Sequence, residues 1–144
     1  MKISTSYISY SADETIAIAE SLASGFDFPS IVCLRGDLGA GKTTFAKGFA
    51  KGLGVSEIVA SPTFTLLNEY DLPSGNKLIH FDMYRLSSSD EAEEAGFAEY
   101  FGLKDDKNII LVEWAENTPE LIPPTALSII FEKIDDEKRK ITLQ

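Results

Sequence analysis

One short run, residues 36–43, restricts what this chain can fold into more than any other part of its sequence. It reads Gly-Asp-Leu-Gly-Ala-Gly-Lys-Thr. Glycines allow positive φ angles, which let the backbone turn several N–H groups inward onto one anion. Lys42 adds a full positive charge, and Thr43 is placed to offer its hydroxyl to a magnesium ion. The spacing is that of a Walker A loop, which predicts a site for the polyphosphate tail of a nucleotide.

The segments on either side of this loop have the patterns that such a site requires. Residues 31–34 are a short apolar run typical of a strand, and residues 44–53 have the spacing of an amphipathic helix ending at Gly54. The positive end of that helix would face the anion. We therefore expect the nucleotide to contact the loop and the first turn of the helix, namely Asp37, Leu38, Gly39, Ala40, Gly41, Lys42, Thr43 and Thr44.

The N-terminal segment has a strand pattern followed by a helix pattern. Residues 3–8 alternate apolar and polar side chains, and residues 11–14 read as a capping box that opens a helix. Gly25 is expected to close that helix. Its predicted inner stripe is Ile16, Ala19, Leu22 and Ala23.

Further strand patterns predict two hairpins and one buried strand. Residues 61–70 begin with a turn and are expected to pair with residues 77–82. Residues 127–133 and 138–143 alternate around an acidic turn and predict a closing hairpin. Residues 108–114 form the most apolar run in the chain, as expected of a central strand that is buried on both faces.

The order of these segments predicts an α/β fold. The acidic stretch 88–101 is expected to form a short helix with a solvated face. A chain of 144 residues has the size of one domain. We therefore predict a single domain, residues 1–144, with a central mixed β-sheet flanked by helices in three layers, as in P-loop NTPases.

Two carboxylates are placed to complete the phosphate site. Asp82 and Glu113 each end an apolar strand pattern, and ligands of open α/β folds bind at the carboxyl ends of the strands. A Walker A loop needs an acidic partner for its magnesium ion. We expect one of the two to hold the metal and the other to orient the attacking water, and the sequence leaves open which does which.

Three other side chains are candidates for the same site. Thr63 and Thr65 follow a Ser-Pro turn, at the position where switch segments of nucleotide hydrolases contact the γ-phosphate and the metal. Plain strand threonines are the alternative. Trp114, next to Glu113, either stacks on the base or fills the core.

The identity of the nucleobase and the rate of nucleotide hydrolysis are predicted from what the sequence lacks. No Asn-Lys-x-Asp element for guanine is present, so ATP is favoured. An arginine finger contributes a factor of about 10³ to 10⁵ in rate, and the chain has only Arg35, Arg85 and Arg139. Arg85 is the one near a motif. We expect slow hydrolysis by the isolated chain.

The composition excludes several classes of function. A formal net charge of −10 repels a nucleic-acid backbone, so any nucleic acid would be contacted only through a partner. No apolar run approaches membrane-spanning length, and the first ten residues are too polar for a signal peptide, which predicts a cytoplasmic location. Cys33 is expected to be a buried apolar residue, and His80 to be structural and not a metal ligand.

Four blocks of the sequence together resemble the bacterial TsaE family, also called YjeE. They are residues 36–44 (GDLGAGKTT), 61–66 (SPTFTL), 80–86 (HFDMYRL) and 113–116 (EWAE), in the family's order and spacing. The resemblance covers essentially the whole chain, with no departure at the motif positions.

That resemblance implies an ATPase subunit of the machinery that makes N6-threonylcarbamoyladenosine in tRNA. Such a subunit docks on the TsaD–TsaB pair, and its Mg-ATP hydrolysis supports repeated transfer cycles. The family roles place Lys42 and Thr43 on phosphate and magnesium, and Asp82 and Glu113 on metal and hydrolysis. They place Thr63 in the switch segment and Trp114 near the adenine.

Two alternatives to a partner-stimulated ATPase remain. A small-molecule kinase shares the loop but needs a lid and several arginines; three arginines and no insertion after the central strands argue against it. A nucleotide-gated binding module, in which hydrolysis is incidental, needs the same nucleotide-binding residues as a partner-stimulated ATPase. The sequence does not distinguish these two functions.

Overall fold

The computed structural model describes residues 5–24, 31–37, 39–59, 66–102 and 108–144. Within these ranges the strands are β1 (Thr5–Ser9), β2 (Ile31–Arg35), β3 (Leu67–Asp71), β4 (Lys77–Asp82), β5 (Ile109–Glu113), β6 (Leu127–Lys133) and β7 (Arg139–Leu143). The α-helices are α1 (Ala12–Ser24), α2 (Lys42–Leu53), α3 (Ser89–Glu94) and α4 (Ala98–Gly102). Two 3₁₀ turns, Ala115–Asn117 and Pro119–Leu121, follow β5.

All of these strands lie in one mixed sheet, in the order β1-β7-β6-β2-β5-β4-β3. The four inner strands β6, β2, β5 and β4 are parallel, whereas β1, β7 and β3 pair antiparallel. The apolar run predicted to be buried on both faces is β5, which lies between β2 and β4. Parallel pairing brings the carboxyl ends of β2, β4 and β5 to one edge of the sheet, and the candidate site lies there.

Helices cover both faces of the sheet, which confirms the predicted three-layer α/β architecture. On one face α1 and α2 enclose a core that includes Leu22, Phe45 and Phe49. On the other face α3, α4 and the 3₁₀ turns cover a second core around Phe81 and the buried thiol of Cys33. Burial raises the pKa of that thiol and leaves it an apolar core residue, as expected. No helix in the described part of the chain is long and apolar enough to cross a bilayer.

The local signals of helix α1 are confirmed in most details. The backbone N–H of Glu14 donates to Ser11 Oγ at 3.1 Å, which is one half of the predicted capping box. The predicted stripe residues Ala19, Leu22 and Ala23 are buried. Ile16 is only half-buried, because Thr15 turns inward to a hydrogen bond with Ser9 Oγ at 2.6 Å. The predicted closure at Gly25 lies outside the described residues.

The prediction of one helix over residues 88–101 is wrong, because Gly96 divides it into α3 and α4. Gly96 has a φ of 84°, in the left-handed region that glycine adopts most easily. The N–H of Phe97 bonds to Ala92 O at 3.0 Å, and the N–H of Gly96 bonds to Glu93 O at 3.0 Å. This is a Schellman closure. It turns the chain so that Phe97 packs on Phe81, with ring centroids 5.1 Å apart.

Helix α2 approaches α1 so closely that only glycine fits at the crossing. A Cβ atom on Gly48 would lie 2.3 Å from the carbonyl oxygen of Ile16 and 2.8 Å from its Cα. On Gly52 it would lie 2.4 Å from the carbonyl oxygen of Glu20. Helix α2 is therefore held against α1 backbone to backbone.

We expect Gly48→Ala to destabilise the protein although alanine is the better helix former. The propensity gain is about 1 kcal/mol, whereas overpacking against a backbone costs about 1–3 kcal/mol or more. The measurement is urea unfolding followed by circular dichroism. Lys47→Ala, at an exposed position on the same helix, is the matched control. A Gly48→Ala protein as stable as the wild type would contradict the close approach.

Candidate functional site

The loop after β2 has the backbone that its glycines predict. Gly36 has a φ of 154°, and a Cβ there would lie 2.8 Å from the carbonyl oxygen of Phe131 on β6. Gly39 and Gly41 have φ angles of 77° and 105°. The N–H of Ala40 closes a turn onto the carbonyl oxygen of Asp37 at 3.1 Å. The loop thus follows a path over β6 that glycine alone accommodates at its first position. Leu38 lies outside the described residues.

The first turn of α2 is open toward this loop. Gly41 is the N-cap residue and supplies no side-chain cap. The first N–H groups of an α-helix have no intrahelical partner, and here they belong to Lys42, Thr43 and Thr44. Together with the helix dipole they form a site suited to an anion.

Lys42 lies beneath the loop, with only 5% of its surface exposed. Its Nζ donates to the carbonyl oxygen of Gly36 at 2.5 Å and lies 3.6 Å from the ring centroid of Trp114. Burial lowers the pKa of this amine, and the surrounding carboxylates, Glu113 foremost, oppose that shift. A bound polyanion would act in the same direction as the carboxylates and favour the charged form.

The two predicted carboxylates are brought side by side. Asp82 and Glu113 are direct cross-strand partners at the ends of β4 and β5. Glu113 is 3% exposed, and its Oε1 accepts a hydrogen bond from Thr43 Oγ1 at 3.3 Å. Asp82 is half-buried, and its Oδ1 accepts from the backbone N–H of Tyr84 at 3.0 Å. The loop threonine and both acids therefore converge on one edge of the sheet.

A fourth member of this group is a histidine that sequence analysis treated as structural. His80 Nε2 lies 2.7 Å from Oε2 of Glu113, and both side chains are buried. His80 and Asp82 are two residues apart on β4, so they point to the same face of the sheet. That alternation was visible in the sequence and was the signal that could have placed His80 next to the site.

Trp114 lies at the same end of the site. Its ring is 5.0 Å from that of Tyr84, between centroids, in addition to its contact with the Lys42 amine. Its backbone has a φ of 60°, a left-handed conformation that is uncommon for a bulky residue and is typically found at functional sites. Stacking of Trp114 on a nucleobase remains a prediction.

Lys42, Thr43, Asp82, Glu113 and Trp114 line a crevice of about 570 Å³ that has two sides. One side consists of the ends of β4 and β5 with Tyr84 and Trp114, and the other of the start of α1 and the β6–β7 turn. Arg139 reaches across from β7, where its Nη2 donates to the carbonyl oxygen of Gly39 at 3.1 Å. Arg85, the arginine near a sequence motif, is exposed in the turn after β4. No motif pointed to Arg139, which is 100 residues from Gly39 along the chain. Thr63 and Thr65 lie outside the described residues.

The crevice fits a nucleotide with a magnesium ion. Its volume lies in the range of small-molecule sites, and its floor is a glycine loop followed by an uncapped helix. Magnesium prefers oxygen ligands and is usually bound by one or two protein groups together with substrate phosphates. Thr43, Asp82 and Glu113 supply such oxygens. No group of three or more His, Cys, Asp or Glu side chains that could hold a metal occurs among the described residues.

Comparisons with known proteins agree on one family. A sequence model described as "Threonylcarbamoyl adenosine biosynthesis protein TsaE" matches residues 9–141. The tRNA threonylcarbamoyladenosine biosynthesis protein TsaE of Bacillus subtilis (strain 168) is 45% identical over 133 residues, which are 90% of this chain and 78% of that protein. The protein of the same name from Aquifex aeolicus (strain VF5) is 39% identical over 145 residues, covering 99% and 98%.

A solved structure agrees with these sequence matches. The crystal structure of Bacillus subtilis YdiB is similar with a TM-score of 0.78 at 39% identity, covering 99% of this chain and 86% of that one. The chain belongs to the TsaE family.

Proposed function

We propose that this protein binds Mg-ATP in the crevice and hydrolyses it in support of tRNA threonylcarbamoyladenosine biosynthesis. The observation that carries the proposal is the cluster of Lys42, Thr43 and Glu113 beside the glycine loop and the uncapped N-terminus of α2. These are the groups that phosphoryl transfer to water needs: a cation, a metal ligand and a carboxylate. Membership of the TsaE family supports the biosynthetic role.

Each side chain has a distinct part in this proposal. The loop amides and Lys42 bind the β- and γ-phosphates. Thr43 and Asp82 would hold the magnesium ion through their side-chain oxygens. The ion would neutralise charge on the phosphate oxygens. Glu113 orients the attacking water, since a buried carboxylate with a fixed position suits that task. Thr63, in the predicted switch segment, is proposed to contact the γ-phosphate.

Slow turnover by the isolated chain is part of the proposal. Arg139 donates to the backbone carbonyls of Asp135, Lys138 and Gly39. Because its guanidinium stabilises the β6–β7 turn and the loop in this way, we do not assign it the role of an arginine finger. We propose that docking on the TsaD–TsaB pair completes the site and raises the rate. The formal net charge of −10 favours a partner that carries the tRNA.

The experiment is phosphate release from Mg-ATP by the chain alone and with TsaD and TsaB. We expect slow release alone and at least about tenfold stimulation in the complex, up to the factor of about 10³ to 10⁵ that an arginine finger contributes. Rapid transfer to a metabolite with little release would favour a kinase. Repeated tRNA modification by a complex whose Glu113→Gln subunit no longer hydrolyses ATP would favour a nucleotide-gated binding module.

Fluorescence of Trp114, the sole tryptophan of the chain, is expected to change when ADP or ATP binds. Phosphate groups would draw the Lys42 amine from its position 3.6 Å above the ring. Inorganic tripolyphosphate tests this effect alone, and adenosine tests contact with the base. An unchanged spectrum with adenosine would remove Trp114 from the base pocket, and an unchanged spectrum with ADP would contradict both contacts.

A further inference from the structure

The carboxylate of Glu113 is held at both oxygens. Its Oε1 accepts from Thr43 Oγ1 at 3.3 Å, and its Oε2 lies 2.7 Å from His80 Nε2. A carboxylate only accepts hydrogen bonds, so the Nε2 nitrogen carries the proton in this pair. Thr43 belongs to the phosphate loop, whereas His80 lies on strand β4 within the sheet. The two contacts together set the plane of the carboxylate.

Packing alone does not account for a histidine at this position. His80 is fully buried, and its cross-strand neighbours in register are Leu111 on β5 and Asn68 on β3. An aliphatic side chain would fill this place without the cost of burying a polar ring. Within the described residues Nδ1 is buried and has no hydrogen-bond partner. Among the described residues the ring therefore makes one hydrogen bond, and its partner is Glu113.

We infer that His80 is a positioning residue for Glu113. By donating from Nε2 to Oε2 it restricts the side-chain rotation of Glu113 and directs Oε1 toward Thr43 and the start of α2. This inference rests on the proposed function, in which Glu113 orients the attacking water. Displacing a reacting group by about 1 Å costs up to about a hundredfold in rate. The hydrogen bond from His80 prevents such a displacement.

Two substitutions separate the hydrogen bond from the packing. His80→Leu fills the volume without a donor, and His80→Gln places an amide N–H near the position of Nε2. We expect His80→Leu to lower kcat for ATP hydrolysis about tenfold to a hundredfold. KM for ATP and the affinity for ADP should stay within about threefold, because the loop contacts are intact. We expect His80→Gln to recover most of kcat, and His80→Leu to cause no further loss in a Glu113→Gln background.

Three results would overturn the inference: kcat of His80→Leu within twofold of the wild type, equal losses in both His80 variants, or a His80→Leu loss that adds fully to that of Glu113→Gln. Failure of the proposed function is a different result, namely full activity of Glu113→Gln.

If His80→Leu does not fold, NMR of the wild-type protein gives the answer. His80 is the sole histidine, so its ring N–H can be assigned without ambiguity. A protected, downfield Nε2–H that moves in Glu113→Gln supports the inference, and a rapidly exchanging one overturns it.

Discussion

Lys42→Ala is expected to lower the affinity for ATP and ADP by about a hundredfold or more. The ammonium group is the cation beneath the phosphate loop, 2.5 Å from the carbonyl oxygen of Gly36. A hydrogen bond to a charged group contributes about 1.5–3 kcal/mol, and the lysine has three donors to offer to phosphate oxygens. Its removal also leaves the neighbouring carboxylates, Glu113 and Asp82, without the cation that faces them. Repulsion between these acids and the triphosphate would add to the loss.

Isothermal titration calorimetry with ADP and with Mg-ATP measures this effect. Lys47→Ala is the control, because Lys47 lies on the same helix, carries the same charge and is exposed. We expect its affinity to match that of the wild type. Circular dichroism establishes that each variant is folded. An unchanged affinity of folded Lys42→Ala would contradict the assignment of residues 36–44 as the phosphate site.

For Glu113→Gln we expect nucleotide binding to persist and ATP turnover to fall by about 10²–10⁴-fold. General-base and water-orienting groups contribute a factor of this size. Glutamine keeps the shape of the side chain and a carbonyl oxygen for the His80 donor, so packing at this buried site is retained. What it loses is the negative charge that acts on the attacking water. The loss should therefore appear in kcat and not in the affinity for ADP.

Single-turnover hydrolysis in the assembled complex is the measurement for this variant. Glu132→Gln on β6 removes the same charge at an exposed position and should leave turnover unchanged. Asp82→Asn tests the division of roles: we expect a higher magnesium requirement, with turnover partly restored at saturating metal. Wild-type turnover by Glu113→Gln would rule out the proposed role. If excess magnesium restored the turnover of Glu113→Gln, Glu113 would be the metal ligand and Asp82 the group that orients the attacking water.

Much of this structure follows from local sequence signals. The Walker A spacing, the apolar run before it and Gly54 after it define β2, the loop and α2, because each depends on the preferences of a few consecutive residues. The capping box at Ser11 is similarly local. The two hairpins are short connections between alternating strands, which pair with few alternatives. The candidate site residues Lys42, Thr43, Asp82 and Glu113 were predictable because each belongs to a strand end or to the loop.

Other features depend on which strands become neighbours, and periodicity does not specify that. The fold was predicted as a mixed sheet, but not the position of β2 between β6 and β5. That placement puts Arg139 against Gly39 and gives the crevice a second side. The division of the predicted helix at Gly96 was missed because isolated glycines are tolerated inside helices. Its left-handed closure is favoured here by the burial of Phe97 against Phe81.

The sequence by itself determined that the chain carries a glycine-rich loop with Walker A spacing at a strand-helix junction, with acids at two later strand ends. Only the tertiary structure decided that Asp82 and Glu113 are cross-strand partners, that Glu113 lies against Thr43, and that His80 holds its other oxygen. The reason is physical. Loop and cap geometry depend on the torsional freedom of adjacent residues, whereas the contacts of a buried carboxylate depend on parallel pairing between strands that are far apart in the chain.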